Sequence, residues 1–128
     1  MSYQFFHYRE GEFLKQILPK GGITFSVEEL PIGAFDHLSK SLGTTVKIRV
    51  GVARCSEKDN YNKRMGRLIS RNRAELHSGV KTFSVDQITN FGEERRGLTL
   101  TQENGPIVLF FKNNKGSDKV RLVEAYER

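Results

Sequence analysis

Residues 45–55, TVKIRVGVARC, set Val46, Ile48, Val50 and Val52 on one side of an extended chain, with Lys47, Arg49 and Gly51 on the other. β-branched residues at a two-residue period predict a strand with one face toward a core. The period then changes. In the run 55–74, CSEKDNYNKRMGRLISRNRA, continued to Leu76, the apolar residues Tyr61, Met65, Leu68, Ile69 and Leu76 fall on one helical arc. That spacing predicts an amphipathic helix over about residues 58–76, with this arc laid on a sheet. A clear strand running into such a helix points to the α+β class.

Working outward, SYQFFHYRE carries the aromatic content of a strand, and EFLKQILPKGG reads as either a strand or a helical turn ended by Pro19-Lys20-Gly21-Gly22. GITFSVEELP alternates Ile23, Phe25 and Val27 with Thr24 and Ser26, a strand pattern ending at Pro31. AFDHLSKSLG places Phe35, Leu38 and Leu42 at helical spacing before Gly43, which predicts a second short helix over about 34–42. Farther on, KTFSVDQIT reads as a strand or a strand entering a turn, and NFGEERRG as a loop. GLTLTQ and IVLFFK flank Asn104-Gly105, a strong hairpin signal because both turn residues tolerate positive φ. VRLVEAYER closes the chain as a strand or short helix. The sum is a mainly antiparallel sheet of five to seven strands in one domain, residues 1–128.

Hydrophobic residues make up 37% of the chain and charged residues 28%, with no low-complexity tract, which favours a folded domain over disorder. No apolar run approaches the ~20 residues of a membrane span. The opening MSYQFFHYREGEF lacks a basic region followed by an apolar stretch, so it does not read as a secretory signal. A lone cysteine forms no internal disulfide. Together these predict a cytoplasmic protein without membrane contact.

The net charge is +6, and residues 60–74 alone contribute five cations and no acid. On the predicted helix, Lys63, Arg64, Arg67 and Arg71 share the arc opposite the apolar one. Ser56 and Asp59 form an S-x-x-D start signal, with Asp59 at the positive end of the helix dipole. Gly66 costs roughly 1 kcal/mol mid-helix relative to Ala, which implies close packing there. Four like charges on one arc repel one another, and an anionic partner relieves that repulsion. Arg95 and Arg96, beside Phe91 in the NFGEERRG loop, form a second candidate: a phosphate clamp with an aromatic for a base, or a turn paired with Glu93 and Glu94.

Catalytic signatures are missing. Cys55 has no histidine near it in sequence and reads as a small buried hydrophobe. His7, His37 and His77 are 30 and 40 positions apart, without metal-ligand spacing. Neither a phosphate loop nor a dinucleotide fingerprint occurs. No enzyme, metal or cofactor is therefore expected.

The segment GVARCSEKDNYNKRMGRLISRNRA (51–74) resembles a recurring segment of small phage and prophage proteins. There a strand ending Ala-x-Cys leads to Asp, an aromatic two positions on, then Gly-Arg/Lys and a closing Arg-Ala. The matching positions are Ala53, Cys55, Asp59, Tyr61, Gly66, Arg67, Ile69, Arg73 and Ala74. Some small phage proteins of this look, Thoeris anti-defence proteins among them, are oligomers that sequester nucleotide signals. The resemblance thus implies a phage-encoded protein in the host cytoplasm and a homo-oligomer. From the charge, the leading expectation is non-catalytic binding of nucleic acid by Lys63, Arg64, Arg67 and Arg71. The alternatives are a nucleotide-sequestering sponge and an inhibitor of an acidic host protein.

Overall fold

A computed structural model describes residues 2–8, 22–38, 40, 42–54, 62–92, 95–103, 105–113 and 119–127. The elements are β1 (Tyr3–Tyr8), β2 (Ile23–Glu28), α1 (Ile32–Leu38), β3 (Thr45–Arg54), α2 (Lys63–Glu75), β4 (Val80–Asn90), β5 (Arg96–Gln102), β6 (Ile107–Asn113) and β7 (Val120–Glu127). A 3-10 turn, His77–Gly79, joins α2 to β4. The protein is α+β and mainly antiparallel sheet, as its alternating segments predict. No helix among the described residues is long and apolar enough to cross a membrane. Residues 12–21 of the candidate strand or turn EFLKQILPKGG, the Ser56/Asp59 start signal, Cys55, Tyr61, Glu93, Glu94 and Asn104 lie outside the described residues.

The chain divides into two compact units drawn from separated stretches. One comprises Tyr3–Glu28 and Arg49–Val80. In it β2 pairs antiparallel with β1 (Phe5 opposite Ser26, His7 opposite Thr24) and with β3 (Ser26 opposite Gly51, Thr24 opposite Ala53). Strand alternation therefore separates two chemically distinct faces. Ile23, Phe25, Val27 and Val50 are buried on one, where Tyr8 meets Phe25 edge-on at 6.0 Å between ring centroids. On the other face the central positions are small: Thr24, Ser26, Gly51 and Ala53, all buried.

Helix α2 covers that small-residue face. Its own buried residues are Ser70 and Ala74, in line with Gly66 at i, i+4 and i+8. A Cβ on Gly66 would collide with the Thr24 side chain, and one on Gly51 with the backbone of Ser70 and Ala74. Small residues on both partners let the helix axis sink toward the strands. This corrects the predicted face: Met65 is 48% exposed, Leu68 46% and Leu76 58%, so these residues do not form the seam. The helix is also shorter than the predicted 58–76. It is capped by Asn62, whose Oδ1 accepts from the Met65 N–H at 3.2 Å. Its C-terminal turn is tied to β3 by the Arg73 guanidinium, which donates to the Val52 carbonyl.

The other unit comprises Met1–Ser2, Glu29–Ile48 and Lys81–Arg128. Its strands β4, β5, β6 and β7 pair in sequence order, all antiparallel. Phe83, Val85, Leu98, Leu100, Leu109, Phe111 and Leu122 are buried among them. β5 and β6 pair as a hairpin where the sequence predicts one, although Gly105 is not among the glycines with positive φ, and the ambiguous C-terminal segment is a strand. Helix α1 is shorter than its predicted 34–42. It starts after Pro31, whose carbonyl accepts from Phe35 N–H, and buries Phe35, while Leu42 is 64% exposed beyond its end. Gly43 then takes a positive φ of 87°, open to glycine at no steric cost.

Candidate functional site

In the first unit, a surface groove of about 610 Å3 runs along α2. The helix contributes Arg64, Arg67 and Arg71 together with Met65 and Leu68; Asn62, the cap, borders its start, and Phe5 enters from β1. The sequence builds this arrangement simply. Docking through Gly66, Ser70 and Ala74 rotates Met65 and Leu68 out of the helix–sheet seam. Positions 64, 67 and 71 share one side at i, i+3 and i+7, so the guanidinium stems rise about 10.5 Å along the axis. On β1, Tyr3, Phe5 and His7 share the face paired with Glu28, Ser26 and Thr24.

The electrostatics are one-sided. Among the described residues no carboxylate pairs with Lys63, Arg64 or Arg67. Arg71 has a partner in Glu75 at 4.0 Å, a half-exposed i, i+4 contact of little net strength that softens the predicted charge arc at its C-terminal end. Lys63 and Arg64 occupy the first helical turn, which holds no acid, so their charges add to the positive end of the helix dipole. The field registers on His7, whose Nδ1 lies 2.9 Å from Thr24 Oγ1. Burial, then Lys63, then Arg67 hold its pKa below the ordinary value of 6.5. At the far end, burial is the main cause that raises the Tyr3 phenol above its usual pKa, with the nearby Glu75 carboxylate second.

Of the residues singled out by sequence, Arg64, Arg67 and Arg71 share the groove, and Lys63 is exposed at the start of the same helix. Arg95 and Arg96 belong to the other unit. The Arg96 guanidinium lies 3.9 Å from Asp36, and the Arg96 backbone N–H donates to Asn113 Oδ1 at 2.6 Å. Arg95 is exposed, with its carbonyl accepting from Phe91 N–H. The Phe91 ring lies over Gly97, with Lys112 Nζ 5.6 Å from its centroid. Sequence reasoning missed Phe5 and Asn62 and assigned Met65 and Leu68 to the core. The signal that carried the answer is Gly66-x-x-x-Ser70-x-x-x-Ala74, whose small side chains mark the docking face. No family model, curated protein or solved structure matches the chain.

Proposed function

We propose that the protein is a non-catalytic binder of phosphate-bearing polyanions, nucleic acid foremost, and that the α2 groove is the binding surface. One observation carries this: three arginines at i, i+3 and i+7 line one groove, two of them without a carboxylate partner among the described residues. A guanidinium is permanently charged and forks onto phosphate oxygens, so three in a row suit a chain of phosphates. Lys63 adds charge at the same helix end, and the helix dipole has the same sign there. The net charge of +6 favours encounter with polyanions at any orientation.

A labelled oligonucleotide titrated in low salt tests the proposal. Binding by the parent protein, lost in Arg64→Gln/Arg67→Gln and kept in Lys47→Gln, supports it. Equal binding by both variants removes the groove from consideration. A second reading has its own support in the groove's size: about 610 Å3 falls within the range of small-ligand pockets, so a single nucleotide, held as by the sequestering phage proteins, fits too. Calorimetry against mono- and cyclic nucleotides separates it from polymer binding. Heat with a nucleotide and none with an oligonucleotide would favour the sponge.

A further inference from the structure

The groove is not lined by cations alone. Phe5 reaches it from β1, and Met65 and Leu68, each close to half exposed, stand between the arginines along the helix. Resting on the groove's role as a polyanion site, we infer that its ligand is a single strand, with phosphates on Arg64, Arg67 and Arg71 and an unstacked base on Phe5.

A duplex and a single strand present different chemistry to such a surface. On a duplex, phosphates form the outer ridge and the base faces are stacked away inside. Reading it from within a groove requires a protruding helix or ribbon. Gly66, Ser70 and Ala74 seat α2 closely on β2 and β3, so its arginines line one groove with Phe5 of β1. A duplex laid along the arginines would therefore press its charged backbone toward Phe5, Met65 and Leu68 and leave those apolar groups without an apolar partner. A single strand offers both faces of each base. Arginines following the backbone while an aromatic takes a base is how proteins hold single strands without reading their sequence. The rail from Arg64 to Arg71, about 10.5 Å long, is short, so the footprint is a few nucleotides.

The surroundings favour Phe5 as the platform. It lies between Tyr3 and His7 on its strand face, and its backbone is held in register opposite Ser26. With only two rotatable side-chain bonds, a phenylalanine ring on a paired strand loses little freedom on stacking. The other unit holds a smaller hollow of about 300 Å3 whose lining includes Phe91 and Lys112, but Lys112 is the only cation among the described residues that line it.

The experiment compares labelled twelve-residue oligothymidine with a duplex of equal length at about 50 mM salt, the low end of the usual range. The parent protein, Phe5→Leu and Phe5→Tyr are titrated by fluorescence anisotropy, with folding of each checked by circular dichroism. The expected result is at least tenfold tighter binding of the single strand. Phe5→Leu, which keeps the packing but not the ring, then weakens it by about five- to a hundredfold. Phe5→Tyr keeps parent affinity. Equal binding of duplex and single strand, or an unchanged Phe5→Leu, overturns the single-strand inference and leaves the polyanion proposal standing. Failure to bind either nucleic acid overturns both.

Discussion

Gly51→Ala probes the packing that creates the groove. The added Cβ would meet Ala74 N at 2.7 Å and the Ser70 carbonyl carbon at 2.8 Å, and would come closer still to the Ser70 oxygen. All three are backbone atoms, so no rotamer change relieves the collision. Restoring ordinary contact at about 3.4 Å requires α2 to withdraw by ~0.7 Å for Ala74 N alone and by more for the Ser70 oxygen, loosening Gly66, Ser70 and Ala74 together. Overpacking a tight interface costs 1–3 kcal/mol, and rigid backbone on the opposing side places this case near the top, at about 3 kcal/mol. With a urea m-value of about 2 kcal/mol/M, the unfolding midpoint drops by roughly 1.5 M. Gly33→Ala is the internal control. Nothing lies within 4 Å of its added Cβ, and it sits in α1, so it stabilises by up to about 0.5 kcal/mol. Urea unfolding followed by circular dichroism reads both. If Gly51→Ala unfolds within 0.3 M of the parent, the close helix–strand approach is wrong.

Further expectations follow from the same geometry. Asn62→Ala removes the side chain that caps Met65 N–H and costs about 1 kcal/mol, whereas Asn62→Asp keeps the bond; thermal unfolding distinguishes them. Ala74→Leu forces volume into the fully buried seam and costs about 1–3 kcal/mol, while Leu68→Ser on the open side stays below about 1 kcal/mol; the opposite order would restore the Met65/Leu68 face as the core. His7 supplies the pH dependence. Its folded pKa lies below 6.5, so the unfolded chain protonates first on acidification. Its contribution is intact above pH 6.5 and is lost as pH falls from there toward the folded pKa. A polyanion beside Lys63 and Arg67 screens part of the cause and moves the His7 titration upward, visible in its imidazole NMR signals; a His7 that titrates at or above 6.5 without ligand contradicts the placement.

Much of the fold was legible because strand alternation is a local property. TVKIRVGVAR, GLTLTQ and IVLFFK each carry their pattern within a few residues, and Asn104-Gly105 marks the turn between the last two. The C-terminal VRLVEAYE was ambiguous because Val120 and Leu122 follow strand alternation whereas Leu122 and Ala125 stand at the i, i+3 spacing of a helix. Pairing with β6 decides it, with a register shift between Phe110 and Phe111 that no local pattern announces. The orientation of α2 was not legible from hydropathy, which places Met65 and Leu68 inside. What decides it is the partner surface, and Thr24, Ser26, Gly51 and Ala53 reach that surface from two strands distant in sequence. Small residues there select Gly66, Ser70 and Ala74 as the docking edge. The cationic arc was readable because charge at helical spacing needs no partner to be seen. Phe5 was not, since its place beside the arginines depends on β1 pairing with β2.

The most direct test of the central claim is the salt dependence of oligonucleotide affinity for the parent protein and for Arg64→Gln/Arg67→Gln/Arg71→Gln. With three phosphates neutralised on a single strand, log K should fall against log salt with a slope near −2. The triple variant should flatten that slope toward zero and weaken binding at every salt concentration. A parent protein that does not bind in low salt, or a variant whose slope matches the parent's, would contradict the assignment of the α2 groove.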